Sequence, residues 1–307
     1  MNIFSELLEG GTPQVQRKKR ITFKLICITS ALIALMLVVL AIYGIASLLS
    51  QNKSLENDLD KANIGTTTVT TISEDNLHSG SLLILNESNR FSGSPSLVNL
   101  QERNDRPKTD TGTNAYSIRP KTRENFMATD AAATALNKML GAFYKAMKDD
   151  NIIISNAYDM SKADTQDAIY SSGESFEFTY FYDAEVSTAD TRNIYGVQTY
   201  NWIYNNAYKY GFVVIGESEP NVFRYVGTVH STAIKQSGLS FDEYLESLRT
   251  KTPADPLRVN ASGSIYAVYY LAKDAEHTVP DSYEYTVSGN NVDGYIITVN
   301  LSKKVTN

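Results

Sequence analysis

Two neighbouring stretches of the chain decide the fold: Trp202-Ile-Tyr-Asn-Asn-Ala-Tyr-Lys-Tyr-Gly-Phe212 and Glu219-Pro-Asn-Val-Phe-Arg-Tyr-Val-Gly227. The first predicts a helix over residues 202–210, which ends at Gly211 because glycine readily adopts the left-handed conformation that closes helices. The β-branched and aromatic residues 223–226 of the second stretch predict a strand. The two stretches therefore combine both kinds of secondary structure.

The flanking residues continue this mixed pattern. Residues 129–148 carry apolar side chains at helical spacing, and Ser240 with Glu243 predicts a capping box that opens a further helix. A long loop rich in polar residues is predicted for residues 87–125. Short apolar runs predict strands at residues 81–86, 152–154, 176–182 and 213–215.

The pattern changes after Pro253. Three segments are β-branched or alternate in polarity, which is typical of strands: residues 265–270, 283–287 and 295–301. The turn Ser288-Gly-Asn-Asn291 predicts that the last two form a hairpin. Residues 253–307 are therefore interpreted as a β-rich extension, either a small module or edge strands on the main domain.

An uncharged segment near the N-terminus predicts a membrane anchor. Residues 25–49 contain no charged side chain, and a helix of that length spans about 37 Å, enough to cross a bilayer. A basic cluster, residues 17–20, precedes it. The positive-inside rule then predicts a single-pass protein with residues 1–24 in the cytoplasm and the rest outside. A cleaved signal peptide is the alternative.

Residues 50–75 are interpreted as a stalk and linker. Leu48, Asn52, Leu55 and Leu59 follow a spacing of 4, 3 and 4, which would allow two copies to pair as a homodimer. A solvated juxtamembrane helix is the simpler interpretation of the same residues.

Composition excludes several classes of protein. The 307-residue chain has a net charge of −6, which argues against nucleic-acid binding. Its one Cys, Cys27, excludes an internal disulfide, and its three His leave little room for metal chemistry.

Both quoted stretches resemble motifs of the D-alanyl-D-alanine carboxypeptidases of the VanY type, which are zinc peptidases of bacterial cell walls. The first is similar to their W-L-x-x-N-A-x-x-Y-G-F, and the second to their E-P-W-H-F-R-Y-V-G. Two further segments match in the same order: Leu77-His-Ser-Gly-Ser-Leu-Leu-Ile-Leu-Asn86 and Gly238-Leu-Ser-Phe-Asp-Glu-Tyr-Leu245. The resemblance covers roughly residues 77–248 and implies a carboxypeptidase-like domain over residues 76–252.

The resemblance also implies the fold class. It is α+β, with the antiparallel sheet and packed helices of the D-Ala-D-Ala carboxypeptidase/hedgehog type. One transmembrane helix precedes this domain, and the small β-rich tail follows it.

The family's site residues are only partly kept. Family members bind zinc through an H-x6-D pair and a later His, and the Glu before that His acts as general base. The later His corresponds to Val222 and the base to Glu219. The earlier pair falls at Glu177 and Asp183, although the motif is one residue short. Because the His ligands are missing, we predict that this chain takes no zinc or other cofactor.

The resemblance places the family's Arg that binds the terminal carboxylate of the substrate near Tyr158, and this sequence has no Arg there. A candidate groove is nevertheless predicted from residues that match the surrounding pattern: Ser155, Gln166, Phe176, Thr179 and Arg224.

Three functions remain open on these grounds. The leading hypothesis is a membrane-anchored, carboxypeptidase-like wall protein that has lost hydrolysis and binds or regulates peptidoglycan through its stem peptides. The second is an active D,D-carboxypeptidase in which Asp183, Glu177 and Glu219 hold a cation at a shifted site. The third is a structural subunit of an envelope assembly.

Overall fold

The computed structural model describes residues 23, 26–30, 32–44, 63–118, 126–181, 191–193, 198–215 and 220–305. The chain divides into two compact units, Met1–Lys61 and Ala62–Asn307. The basic cluster before the apolar segment and the stalk positions at 48, 52, 55 and 59 lie outside the described residues.

In the first unit, helix α1 (Ile26–Gly44) is long and apolar enough to cross a membrane by length and composition. Its 19 residues span about 28 Å, close to the thickness of a bilayer's hydrocarbon core. Length and composition do not show its orientation, so the topology stays a prediction.

The second unit contains four α-helices and fifteen strands among the described residues. The helices are α2 (Asp130–Met147), α3 (Gln198–Asn206), α4 (Gly227–Ser237) and α5 (Phe241–Leu248). The strands are β1 (Thr67–Thr70), β2 (Leu97–Asn99), β3 (Ser117–Ile118), β4 (Phe126–Thr129), β5 (Ile152–Asn156), β6 (Tyr158–Asp159), β7 (Ser175–Phe181), β8 (Thr191–Asn193), β9 (Phe212–Val214), β10 (Val222–Tyr225), β11 (Leu257–Ala261), β12 (Ser264–Ala272), β13 (His277–Pro280), β14 (Tyr283–Gly289) and β15 (Gly294–Lys304).

The central sheet has the strand order β3-β5-β7-β10-β9, with β8 beside β7. Its strands pair antiparallel except for β3 and β5, which are parallel. Helices α2 and α3 pack against one face and meet where Phe143 contacts Trp202 edge-on, with ring centroids 5.4 Å apart. The predicted α+β class with packed helices on an antiparallel sheet is therefore confirmed.

The C-terminal residues form a separate four-stranded sheet of order β11-β12-β15-β14. One face packs against α4 and α5, and the other covers Ile64, Ile72 and Leu77. Strands β14 and β15 form the predicted hairpin, but its turn lies two residues later than expected, at residues 290–293. Asn290 closes this turn, because its side-chain Oδ1 accepts from three successive backbone N–H groups.

Residues 81–86 differ from the prediction of a strand. Leu82, Leu83 and Leu85 are buried as expected, but the segment pairs with no strand among the described residues. Its N–H groups instead reach the β14–β15 hairpin, where Ile84 N donates to Asn290 O and Leu82 N to Ser288 Oγ. The apolar run thus predicted that these side chains are buried. The hydrogen-bond partners of their backbone N–H groups could not be predicted, because they belong to a hairpin about 200 residues later in the sequence.

Candidate functional site

Strands β7 and β10 bring two of the predicted site positions together. Glu177 on β7 lies directly opposite Val222 on β10. Side chains opposite each other in an antiparallel pair share one face of the sheet, with Cβ atoms about 5 Å apart. The two positions at which the resemblance predicts the family's His ligands are therefore adjacent in space.

The same face carries a row of polar side chains. Ser175 lies opposite Arg224, and Thr179 lies opposite Ile153 on β5. Within the described residues, Ser175 Oγ and Thr179 Oγ1 are buried without a hydrogen-bond partner. We call the row formed by Ser175, Glu177, Thr179, Val222 and Arg224 the polar face. A buried row of this kind is unusual, because buried polar atoms nearly always have partners.

The opposite face of the sheet is apolar. Phe176, Phe178 and Phe223 belong to the core beneath α2 and α3. Phe176 is fully buried there, so its assignment to the candidate groove is corrected. The reason is the two-residue period of a strand, which turns Phe176 away from its neighbours Ser175 and Glu177.

Glu177 is half-buried and makes two side-chain contacts. Asn221 Nδ2 donates to its Oε1 at 3.2 Å, and Tyr170 OH donates to its Oε2 at 3.5 Å. Val222 beside it is buried and aliphatic, so it offers no atom that could bind a metal or a substrate polar group.

The remaining groove candidates lie at different places. Ser155 Oγ donates to the backbone carbonyl of Glu177 at 3.2 Å, so Ser155 lies beside the polar face. Gln166 lies against Asp159, whose N–H donates to Gln166 Oε1 at 3.0 Å. Gln166 Nε2 and Asp159 Oδ2 have no hydrogen-bond partner in the part of the chain that is described.

Arg224 is buried and pairs with Glu174. Its Nη2 lies 3.7 Å from Glu174 Oε2, and its guanidinium lies 5.3 Å from the centroid of the Phe241 ring. Burial raises the pKa of Glu174 to about 8, while the nearby guanidinium opposes that rise. Burial likewise lowers the pKa of Arg224. The separation is longer than a hydrogen bond, which leaves both groups incompletely satisfied.

Glu174 and Asn221 are not predicted as site residues from the sequence. Glu174 directly precedes an aromatic strand. An isolated acidic residue at the start of a strand was the only feature of the sequence that could have marked it as a site residue. Asn221 takes its place through the pairing of β10 with β7, which no local pattern predicts.

The base position Glu219 and the carboxylate Asp183 lie outside the described residues. Among the residues that are described, no three His, Cys, Asp or Glu side chains lie together in a way that could hold a metal ion. At the two adjacent family positions, one carboxylate, Glu177, could coordinate a metal. This pair alone does not fit the family's zinc site.

No protein-family model matches the chain. A solved structure, the vancomycin resistance D,D-dipeptidase VanXYg in complex with a D-Ala-D-Ala phosphinate analogue, aligns with 77% of this chain and 100% of its own at 17% identity and a TM-score of 0.56. The fold is therefore that of the D,D-peptidases of this type.

A curated D-alanyl-D-alanine carboxypeptidase of Enterococcus faecium is 34% identical to this chain over 110 residues. The match covers 32% of this chain and 35% of the relative, so the chain spans about a third of the length of that enzyme. Over those 110 residues the chain is similar to a D-alanyl-D-alanine carboxypeptidase, which confirms the resemblance identified from its motifs.

One prediction is corrected by the comparisons. We expected no cofactor, but zinc-dependent D,D-peptidases share this fold, so the expectation is not supported. The similar structures include a mutant of a vancomycin resistance D,D-pentapeptidase VanY in complex with Zn(II), which aligns with 54% of this chain and 98% of its own at 17% identity and a TM-score of 0.34. The expectation of no zinc rested on missing His residues alone. That argument was too strong, because carboxylates also bind cations, as the second hypothesis for Asp183, Glu177 and Glu219 allows.

Proposed function

We propose that this protein binds the D-alanyl-D-alanine ends of peptidoglycan stem peptides from an anchored position at the membrane and does not hydrolyse them. The observation that carries the proposal is the cross-strand juxtaposition of Glu177 and Val222 on the polar face. A D,D-dipeptidase in complex with a D-Ala-D-Ala phosphinate analogue has this fold, and the resemblance puts the family's two His ligands at these two positions.

Binding is supported by unused hydrogen-bonding capacity. Ser175 and Thr179 carry hydroxyl groups that no described residue satisfies. Glu177 and Asn221 are half-buried at the same place, so this end of the polar face is reachable. An extended peptide supplies amide donors and carbonyl acceptors, which match hydroxyl, carboxylate and side-chain amide groups.

Loss of hydrolysis is supported by the residue at position 222. The family places a side chain with a lone pair there, whereas Val222 is aliphatic and buried. Peptide hydrolysis requires a polarised carbonyl and an activated water. Glu177, held by Asn221 and Tyr170, supplies neither by itself.

Anchoring is supported by the length and apolar composition of α1. The basic residues 17–20 before it favour a cytoplasmic N-terminus. On intact cells from which the wall has been removed, external protease should therefore digest a C-terminal tag and spare an N-terminal one. Protection of the C-terminal tag would reverse the proposed topology.

The binding experiment uses the purified full chain in detergent and a doubly acetylated L-Lys-D-Ala-D-Ala tripeptide, followed by calorimetry. We expect binding that weakens by about tenfold in Asn221→Leu, which loses a polar contact group. Ser237→Ala, at the end of α4, serves as the control and should bind normally. Absence of binding, or equal binding of the L-Ala-L-Ala peptide, would contradict the proposal.

Hydrolysis is measured in the same samples as free D-alanine by mass spectrometry, with metal content determined separately and zinc added in a parallel series. We expect no release. Metal-dependent release that is abolished by Glu219→Gln would instead favour an active peptidase whose cation is held by Glu177, Asp183 and Glu219.

A further inference from the structure

A cavity of about 710 Å3 lies where the central sheet meets the C-terminal sheet. Its described lining comes from residues 84–86, β10, α5, β12 and the β14–β15 hairpin. We call it the junction cavity. Arg224, at one end of the polar face, reaches it from β10. Glu177 and Asn221, which carry the proposed peptide site, are not among the described residues that line it, so the two sites are distinct.

Arg224 brings a buried charge to the wall of this cavity. Its side chain is 2% exposed, and within the described residues its Nε and Nη2 make no hydrogen bond. Nη2 faces Glu174 Oε2 at 3.7 Å, so Glu174 occupies that side of the guanidinium. Nε is then the donor for which the described chain supplies no acceptor. Buried donors nearly always have partners, so Nε is free to donate to a ligand in the cavity.

The charge of Arg224 is also poorly balanced at pH 7. Burial raises the pKa of Glu174 to about 8, so its carboxyl is largely protonated and gives the guanidinium little counter-charge. Burial lowers the pKa of Arg224, and the charges of Glu174 and Asp242 oppose that shift. Asp242 lies on α5, is exposed and lines the same cavity. No hydrogen bond or ion pair engages Asp242 within the part of the chain that is described.

The other charged side chains of the lining are held by the protein. Glu243 Oε2 accepts from Ser240 N at 2.8 Å in the capping box of α5. Arg249 Nε lies 2.8 Å from Glu246 Oε2, and the two Nη atoms of Arg249 donate to the carboxylate of Asp293 at 2.8 and 3.1 Å. Among the described lining residues, one buried cation and one exposed anion are therefore left for a ligand.

The cavity is thus dipolar and also has an apolar wall. The guanidinium of Arg224 is its buried positive end, whereas the carboxylates that line it all belong to exposed residues. These carboxylates would repel an anion that carries no positive charge of its own. The apolar lining residues are aliphatic apart from Phe241, and they include Ile84, Leu85, Leu245 and Ile296.

From this geometry we infer that the junction cavity binds a free α-amino acid with an aliphatic side chain. Its carboxylate accepts from Arg224 Nε, its ammonium faces Asp242, and its side chain contacts the aliphatic wall. A zwitterion of this kind supplies the missing acceptor and a cation for the exposed carboxylates, and both contacts are charge-assisted. The inference goes beyond the proposed function and does not depend on the peptide site.

The test titrates the full chain in detergent with L-leucine and with D-leucine at pH 7, followed by calorimetry. We expect at least one enantiomer to bind. Two analogues each lack one charge: 3-methylbutylamine has no carboxylate, and N-acetylleucine has no ammonium. Each should bind about tenfold more weakly or worse, because it loses a charge-assisted contact. Equal binding of either analogue, or binding of neither leucine, would overturn the inference.

Two substitutions locate the site without changing the buried pair of Arg224 and Glu174. Asp242→Asn removes the free anion and should weaken leucine binding by about tenfold. Ile84→Trp fills the cavity and should abolish binding. Asp274→Asn removes the same charge from the exposed turn between β12 and β13, outside the cavity, and should bind leucine normally. Leucine binding that neither Asp242→Asn nor Ile84→Trp weakens would contradict the inference.

The two proposals fail independently. The doubly acetylated tripeptide of the D-alanyl-D-alanine test carries no ammonium, so Asp242→Asn should leave its binding unchanged. Asn221→Leu should weaken binding of the tripeptide but leave binding of leucine unchanged, because Asn221 does not line the junction cavity.

Discussion

At the scale of single residues, Gly173 holds the backbone that leads into β7. Its φ is +74°, and a Cβ placed there would lie 2.4 Å from Leu97 Cδ2 and 3.3 Å from Thr129 N. Gly238, which closes α4, has a similar φ of +72° but nothing within 4 Å of such a Cβ. An alanine at Gly173 would therefore meet both backbone strain and a steric clash, whereas an alanine at Gly238 would meet backbone strain alone.

We expect Gly173→Ala to lower the free energy of unfolding by about 2–4 kcal/mol, because it adds a steric clash to left-handed strain. Gly238→Ala carries the strain alone and should cost about 1–2 kcal/mol. Urea denaturation of both variants measures the difference. Equal losses would mean that the segment around Gly173 moves aside without resistance.

At the scale of elements, the start of α5 is set by a capping box. Ser240 Oγ accepts from Glu243 N at 3.3 Å, and Glu243 Oε2 accepts from Ser240 N at 2.8 Å. These contacts satisfy two backbone N–H groups that have no partner within the helix. Both residues were assigned from sequence, because a capping box is a local pattern.

Ser240→Ala should therefore lower the free energy of unfolding by about 1 kcal/mol. Ser247→Ala is the matched control, since Ser247 is exposed inside the same helix and its Oγ donates back to Tyr244 O. Alanine favours helix interiors, so the control should be neutral or slightly stabilising. A loss in Ser247→Ala as large as in Ser240→Ala would contradict the capping argument.

At the scale of the whole domain, His230 joins three elements. Its Nδ1 lies 2.8 Å from Tyr244 OH on α5, and its Nε2 lies 3.0 Å from Thr298 Oγ1 on β15. His230 itself belongs to α4. The imidazole therefore connects the helices to the C-terminal sheet. Burial lowers the pKa of His230 from 6.5 to about 4, because the charged form loses its hydration.

This shift predicts acid sensitivity. The unfolded chain takes up a proton on His230 as the pH falls below 6.5, whereas the folded chain resists until about pH 4. Stability is thus present above pH 6.5 and falls by up to about 3 kcal/mol on the way to pH 4. Denaturant unfolding across this range should show the loss, and His230→Gln should flatten it.

Other shifted groups differ from His230 in sign or in interval. Burial raises the pKa of Glu174 from 4.5 to about 8, so its contribution to stability rises, and does not fall, as the pH drops from 8 to 4.5. Arg249 lowers the pKa of Asp293 to about 2, so the contribution of Asp293 is lost only as the pH falls from 3.8 toward 2. An unchanged slope between pH 6.5 and 4 in His230→Gln would show that His230 is not the responsible group.

The C-terminal sheet also contributes to the whole domain. Val259, Val268 and Ile296 share one buried cluster with the helices α4 and α5. Removing residues 253–307 exposes that cluster, so we expect the truncated chain to lose cooperative unfolding and to become sensitive to protease within α4 and α5. A truncated chain that unfolds as cooperatively as the full one would contradict this expectation.

Local patterns determined much of this protein. The apolar stripe predicted α2 to within a residue at each end, and Gly211 ends its helical segment with a φ of +91°. The motifs in residues 202–227 indicated the fold class and the resemblance to the D-alanyl-D-alanine carboxypeptidases. Such features depend on residues close in sequence, whose spacing alone selects a helix, a cap or a strand.

Tertiary structure decided the rest. Only the pairing of β7 with β10 makes Glu177 and Val222 neighbours, and only the strand's two-residue period removes Phe176 from the site. The pairing of Glu174 with Arg224 likewise joins segments about 50 residues apart. Which polar side chains are buried together depends on how sheets and loops pack, and such long-range contacts leave no periodic signal in the sequence.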